Sequence, residues 1–96
     1  VPSPAQDKAQ QELTKGIISY ENSAYERSAN QIQNALTLGL EARKDEAKAH
    51  KYLAFMHCVG GRERLCRDEF RKAIGVDPPL YMIVVPTDWT VNFSPR

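Results

Sequence analysis

Four stretches of helix-period apolar residues, separated by connections of only a few residues, constrain the fold of this chain more than any other feature. Apolar side chains recur three or four positions apart in each stretch, which is the spacing of one face of an amphipathic helix. The sequence predicts helices over residues 4–21, 24–38, 46–59 and 62–75. Helices joined this tightly pack antiparallel, so the expected fold is all-α, with two helical hairpins.

Polar residues near the start of three stretches match the signals that begin a helix. Ser3 with Gln6, and Ser23 with Glu26, have the spacing of a capping box, in which side chains bond free backbone N–H groups of the first turn. Asp45 is the expected cap of the third helix. We therefore predict that Ser3, Ser23 and Asp45 mark the beginnings of the first three helices.

Glycine and proline mark the expected helix ends. Gly39 can adopt the left-handed conformation that ends the second helix, and Gly60-Gly61 ends the third. Asp77-Pro78-Pro79 blocks the fourth, because proline cannot continue a helix.

Residues 80–96 differ in character from the rest of the chain. They are rich in β-branched and aromatic side chains and are interrupted by Pro86, so we expect an extended C-terminal tail rather than a helix. The tail carries too many large apolar groups to remain solvated. We therefore divide the chain into a helical domain over residues 1–79 and a tail over residues 80–96 that packs as a cap on the last hairpin.

Composition restricts the class of protein. The hydrophobic fraction of 42% and the charged fraction of 26% are ordinary for a folded globular domain. A net charge of +1 provides no global field to steer nucleic acid or an anionic membrane. No apolar run approaches the roughly 18 residues that a membrane span requires. We expect no membrane insertion of this chain.

The second pair of helices carries a spacing of small and large residues that is known from a repeat family. The positions are His50, Leu53, Ala54, His57, Cys66, Phe70, Ala73 and Pro78, with Gly61 in the turn. They resemble the tetratricopeptide (TPR) repeat, in which small residues let paired helices approach and large residues fill the gap between neighbours. This spacing describes packing and not chemistry.

The first pair of helices resembles the TPR repeat more loosely. Gly16 takes the small position, Tyr20 and Tyr25 flank the turn, and Leu40 stands where proline is usual. Gly16 and Ala54 are 38 residues apart, whereas the family repeats every 34 or so residues, so the connection is longer. The resemblance implies two TPR-like hairpins in a short right-handed solenoid; a generic four-helix bundle is the alternative.

The resemblance also implies a partner-binding groove lined by the first helix of each hairpin. On this chain the partner-binding residues would be Leu13, Ile17, Tyr20, Lys48, Lys51, Phe55 and Val59, beside Gln10, Glu21 and Cys58. Exposed aromatic residues such as Phe55 are typical binding anchors, and Lys48 and Lys51 favour an acidic or carboxylate-bearing partner. The alternative is that the chain's own tail covers these side chains, because two repeats leave only a short groove.

Cys58 and Cys66 are the two cysteines of the chain. Antiparallel helices bring them close, where they form either a disulfide in an oxidising compartment or two buried thiols in a reducing one. The chain begins at Val1 rather than at methionine, which indicates that an upstream segment such as an export signal has been removed. These features, with the resemblance, favour a periplasmic or cell-envelope location; the cytoplasm is the alternative.

Catalytic and metal chemistry find little support in the spacing of the remaining polar residues. His50, His57 and the cysteines lack C-x-x-C or H-E-x-x-H spacing, so we expect no metal site. A nucleophilic Cys58 beside His57 would need an orienting third group, which the sequence does not provide. We therefore predict no catalytic residues, no cofactor and no enzymatic activity.

The fourth stretch carries a basic face formed by Arg64, Arg67 and Arg71. Glu63, Asp68 and Glu69 are interleaved with these arginines. Mixed signs on a helix predict a solvated face with ion pairs between neighbouring turns, rather than a nucleic-acid surface. We expect no nucleic-acid partner.

The sequence as a whole favours a non-enzymatic adaptor or scaffold that holds a segment of a partner protein in the groove, within a bacterial envelope or secretion assembly. The alternative is a structural subunit or end-cap of a larger helical-repeat assembly that self-associates.

Overall fold

The computed structural model describes residues 4–78, which form four α-helices and no strand. They are α1 (Pro4–Glu21), α2 (Tyr25–Leu38), α3 (Arg43–Val59) and α4 (Glu63–Val76). The all-α prediction is confirmed, and only α3 differs noticeably in its bounds, because it begins three residues before the expected position. The cap at Ser3, the domain boundary after residue 79 and the extended tail over residues 80–96 lie outside the described residues.

The four helices pack as two hairpins. α1 lies along α2, and α3 lies along α4, while α3 also contacts both α2 and α1. These are the packing pairs expected when each helix follows its predecessor through a short turn. The contacts of α3 join the two hairpins into one structure.

The turn between α1 and α2 ends α1 through backbone bonds. The Ala24 N–H donates to the Ser19 carbonyl at 2.8 Å, and the Ser23 N–H donates to the Tyr20 carbonyl at 2.9 Å. This bond pair is the Schellman motif, which requires a left-handed residue just after the helix. That residue is Ser23, with φ of 63°.

The turn between α3 and α4 repeats this geometry 38 residues later. The Arg62 N–H donates to the His57 carbonyl at 2.8 Å, and the Gly61 N–H donates to the Cys58 carbonyl at 3.1 Å. The left-handed position is Gly61, with φ of 79°. The two hairpins therefore have equivalent turns, and the expected role of the glycines at the end of α3 is confirmed.

Two of the expected helix caps are wrong. Ala24, not Ser23, is the N-cap of α2, and no side chain caps that helix, because Ser23 is committed to ending α1. Ala42, not Asp45, is the N-cap of α3, and its carbonyl accepts bonds from the N–H groups of Asp45 and Glu46. Both acidic residues lie in the first turn of α3, where a negative charge interacts favourably with the positive end of the helix dipole.

Gly16 allows α1 and α2 to touch. A Cβ atom at this position would lie 2.5 Å from Ile32 Cγ1 and 3.3 Å from the Ile32 backbone nitrogen. The buried Ser28 hydroxyl donates a 2.6 Å hydrogen bond to the Gly16 carbonyl at the same crossing. The small position assigned to Gly16 therefore corresponds to a close approach of two helices.

Ala54 occupies the equivalent crossing in the second hairpin. It is fully buried and forms a cluster with Cys66 and Phe70 of α4, as the spacing predicts. A second cluster of buried side chains joins the hairpins. Its members are Ala9, Leu13, Ile32, Ala35, Leu40, Ala49, Leu53 and Met56.

Candidate protein-binding surface

Four aromatic side chains from three helices lie close together. They come from the end of α1, the start of α2 and the second half of α3. The Tyr20 ring centroid lies 5.5 Å from that of Tyr25, 5.1 Å from that of Tyr52 and 6.1 Å from that of Phe55. Tyr52 and Phe55 are 5.8 Å apart and meet edge to face, an arrangement that aromatic rings favour. We call Tyr20, Tyr25, Tyr52 and Phe55 the aromatic surface.

The aromatic surface is partly open to solvent and is anchored in the core. Tyr25 is 37% exposed, and the other three rings are half-buried. Phe55 also contacts the buried ring of Phe70 on α4, at a centroid distance of 5.6 Å. The surface is therefore a fixed feature of the packing, because its rings contact one another or the core.

Lys51 adds a positive charge to this surface. Its ammonium nitrogen lies 4.9 Å from the ring centroid of Tyr52 and 5.9 Å from that of Phe55, within the range of a cation–π interaction. Burial lowers the pKa of the Lys51 ammonium, and the nearby charge of Lys48 lowers it further. The half-buried Lys51 side chain is therefore partly desolvated and has a second positive charge, that of Lys48, nearby.

Two tyrosines of the surface, Tyr20 and Tyr52, have raised pKa values. Burial raises the pKa of Tyr20, and the neighbouring Tyr25 and Tyr52 raise it further. Burial also raises the pKa of Tyr52, with an additional contribution from the Glu21 carboxylate. These two phenol groups therefore keep their proton more firmly than a solvated tyrosine does, and can donate hydrogen bonds to a bound molecule.

The predicted partner-binding residues fall into three groups in the structure. Tyr20, Lys51 and Phe55 come together on the aromatic surface. Ile17 is half-buried against the core, and Leu13 is only 2% exposed, so the Leu13 side chain is not available to a partner in this structure. The third group is half-buried Lys48 and, at the end of α3, Val59, which is 60% exposed.

Sequence reasoning missed two members of the surface. Tyr52 lies four residues after Lys48 and three before Phe55, so helical spacing alone could have placed it on their face. Tyr25 was expected to flank the turn but was not placed among the partner-binding residues; it lies at the first position of α2, beside Tyr20.

A buried polar cluster joins α3 to α4 elsewhere in the second hairpin. His50 Nδ1 lies 2.7 Å from one carboxylate oxygen of Glu69, and the Lys72 ammonium donates to the other at 3.0 Å. Glu69 is 9% exposed, so its placement on a solvated charged face is wrong. Burial acts to raise the Glu69 pKa, but the hydrogen bonds and charges of His50 and Lys72 outweigh it, and the pKa is lowered.

The other charged residues of α4 behave as expected of a solvated face. Arg67 pairs with Glu63 at 2.8 Å, and Arg71 pairs with Asp68 at 3.7 Å, with the side chains largely exposed. Such pairs contribute little to stability because water screens them.

Cys58 and Cys66 form a disulfide that ties the last turn of α3 to the first turn of α4. Their Cα atoms are 5.3 Å apart, within the range that a disulfide requires. Of the two alternatives that the sequence left open, a disulfide or two buried thiols, the structure has the disulfide. Cys58 also packs against the cluster of Ala54, Cys66 and Phe70, so the disulfide adjoins the packing that supports Phe55.

Within residues 4–78, no group of three histidine, cysteine or acidic side chains is placed to hold a metal ion. None of the four helices is both long enough and apolar enough to cross a membrane.

Comparison with known proteins does not identify this chain. No family model matches its sequence, and no curated protein or solved structure is similar enough to count as a match.

Proposed function

We propose that this chain is a non-enzymatic protein-binding module, and that a segment of a partner protein binds on the aromatic surface. The observation that carries the proposal is the joining of Tyr20, Tyr25, Tyr52 and Phe55 from three helices into one partly exposed patch. Tyrosine and other large aromatic side chains dominate the binding energy of protein interfaces, because they bury much apolar area with few rotatable bonds. A module of this kind would serve as an adaptor or scaffold.

We further propose that the two hairpins are TPR-like repeats in a short right-handed solenoid. Two features support this. Equivalent turns recur 38 residues apart, at Ser23 and Gly61. Small residues also stand at both helix crossings, as Gly16 and Ala54. In this arrangement the aromatic surface lies on the first helix of each hairpin, with Tyr25 at its edge.

The disulfide supports a location in an oxidising compartment, such as the bacterial periplasm or cell envelope, because cytosolic thiols are usually kept reduced. A cytoplasmic location is the alternative.

Site-specific photo-crosslinking in the native cell tests the binding proposal. A photoreactive amino acid at Tyr25, which is 37% exposed, should crosslink a partner protein. The matched control is Leu65 on α4, which is 45% exposed and outside the aromatic surface. We expect the Tyr25 position to crosslink and the Leu65 position not to. Crosslinks at Leu65 alone would contradict the proposal.

Self-association as a structural subunit is the second candidate function. It is favoured by two exposed apolar side chains that flank the turn between α3 and α4. Val59 is 60% exposed and Leu65 is 45% exposed. Sedimentation of the intact chain separates the two functions, since an adaptor should remain monomeric and a subunit should not. Leu65→Ser would weaken an oligomer that forms through this end.

A further inference from the structure

The positive charge of Lys51 has no acidic partner within the described part of the chain. Lys15 pairs with Glu12, and Lys72 pairs with Glu69, but no carboxylate among residues 4–78 forms an ion pair with Lys51 or Lys48. Lys51 is nevertheless half-buried, with its ammonium over two rings. The aromatic surface therefore lies beside a partly desolvated cation that has no counter-charge among residues 4–78.

A molecule that covers this surface must remove more water from the Lys51 ammonium. Desolvating a charge is costly unless an opposite charge or a strong acceptor replaces the water. A cationic group from the partner would be repelled by Lys51 and Lys48 together, and an apolar group would leave the ammonium buried without an acceptor. Among the side chains of an unmodified peptide, the carboxylate of aspartate or glutamate is the group that supplies both a negative charge and hydrogen-bond acceptors at neutral pH.

We propose that the partner segment binds as an acidic–apolar motif, in which an aspartate or glutamate carboxylate contacts Lys51 and a neighbouring apolar side chain packs on Tyr20 and Tyr25. This inference rests on the proposed function, because it specifies the chemistry of the segment that the aromatic surface binds. Lys48 lies one turn before Lys51 and Tyr52 on α3, and strengthens the positive potential around the site.

A peptide fits this surface better than a single-stranded nucleic acid does. Bases bind proteins by stacking on open aromatic faces. Here Tyr20 meets Tyr52 nearly edge to face, with an interplanar angle of 77°, and Tyr52 meets Phe55 at the same angle. In an edge-to-face pair the edge of one ring lies on the face of the other, so that face is not open to a base, and Lys51 lies over the ring of Tyr52.

Selection from a random peptide display library against the intact, oxidised chain tests the proposal. Selected peptides should be enriched in aspartate or glutamate beside an aromatic or aliphatic residue. Lys51→Gln should weaken their binding about 10- to 100-fold, which is the effect expected for loss of a hydrogen bond between charged groups. Lys51→Arg should retain most of the binding. Lys15→Gln, which removes an exposed lysine of α1, is the matched control and should leave it unchanged.

The outcomes separate this inference from the proposed function. Peptides that depend on Tyr25 but show no acidic preference, or that bind Lys51→Gln as well as wild type, would overturn the inference and leave the binding surface in place. Selected peptides that are all insensitive to Tyr25→Ala, or a selection that yields none, would overturn both. Binding of oligothymidine that is stronger than that of any selected peptide and is lost in Lys51→Gln would replace the peptide with a nucleic acid.

Discussion

At the residue scale, Ser23 occupies a backbone conformation that usually calls for glycine. Its φ of 63° places it in the left-handed region, where the Cβ atom of a residue other than glycine crowds the following carbonyl oxygen. The equivalent position of the second hairpin is Gly61. The two hairpins therefore use one turn geometry with different residues, which provides an internal comparison.

We predict that Ser23→Gly stabilises the protein by about 0.5–1 kcal/mol, since relief of about 1–2 kcal/mol of strain exceeds the added entropy of glycine in the unfolded chain. Gly61→Ser should destabilise by a similar amount, because nothing surrounds a Cβ atom there and only the backbone strain changes. Urea denaturation measures both free energies of unfolding. A destabilised Ser23→Gly variant would show that the serine side chain has a role at this turn.

Glu69 is a second residue of interest, because its neighbours change the pKa of its carboxyl group. Burial acts to raise its pKa, but His50 and Lys72 lower it overall, so the folded state favours the ionised carboxylate. A pKa that is lower in the folded state stabilises the protein above the ordinary glutamate pKa of about 4.3. This stabilisation is lost as the pH falls through the folded-state pKa.

We predict that Glu69→Gln reduces the free energy of unfolding by about 1–3 kcal/mol at neutral pH, because His50 and Lys72 lose a charged acceptor. The difference from wild type should shrink as the pH falls below about 4.3. Glu63→Gln, which alters the exposed pair with Arg67, is the control and should change stability by less than about 0.5 kcal/mol. A difference between wild type and Glu69→Gln that does not vary with pH would refute the ionised cluster.

At the scale of helices, α1 and α2 approach each other closely where Gly16 of α1 meets Ile32 of α2. The absent side chain of Gly16 is what lets the helices touch, and the Ser28 hydroxyl bonds its carbonyl at the contact. A helix interior normally disfavours glycine by about 1 kcal/mol relative to alanine. In the first hairpin, a residue of low helix propensity therefore stands at the position where it permits a tighter crossing of the two helices.

We predict that Gly16→Ala destabilises the first hairpin by about 1–3 kcal/mol, because the new Cβ atom would displace Ile32 and cannot easily move away from its backbone. Gly75→Ala is the matched control, since a Cβ atom there would meet nothing within 4 Å. It should be neutral or stabilise by at most about 1 kcal/mol. Thermal denaturation followed by circular dichroism compares the two variants; equal effects would mean that α1 and α2 are not in close contact at Gly16.

At the scale of the whole molecule, the second hairpin is held by three kinds of interaction. These are the packing of Ala54 against Cys66 and Phe70, the buried cluster around Glu69, and the disulfide near the turn. The first hairpin has no disulfide. Because Phe55 lies between the packed core of the second hairpin and the aromatic surface, the order of that surface depends on the second hairpin.

We predict that reduction of the Cys58–Cys66 disulfide lowers the melting temperature by about 10–20 °C, because a cross-link closing a short loop contributes about 2–3 kcal/mol. The double variant Cys58→Ala with Cys66→Ala should melt near the reduced protein and should not respond to reductant. Mass spectrometry of the native protein checks the bond itself. Two free thiols in protein isolated from its own cell would remove the argument for an oxidising compartment.

The sequence by itself determined the four helices, the two hairpins and the proximity of the two cysteines, because these depend on relations between residues close along the chain. The disulfide itself came from the structure. Apolar spacing identified α1 to α4 to within three residues, and Gly61 marked the end of α3. The helix caps were harder to predict from the sequence. Ser23 could either begin α2 or end α1, and the two roles require different conformations of the same short turn.

Only the tertiary structure decided which side chains meet. Tyr25 became part of the aromatic surface because the turn brings the end of α1 against the start of α2, and Tyr52 because α3 passes beneath both. Leu13 lies in the buried cluster that residues of α1, α2 and α3 form together, and Glu69 is buried where His50 of another helix contacts its carboxylate beside Lys72. Helical periodicity shows which face of one helix is the more apolar. Whether a side chain on that face is buried depends on which residues of the neighbouring helices pack against it.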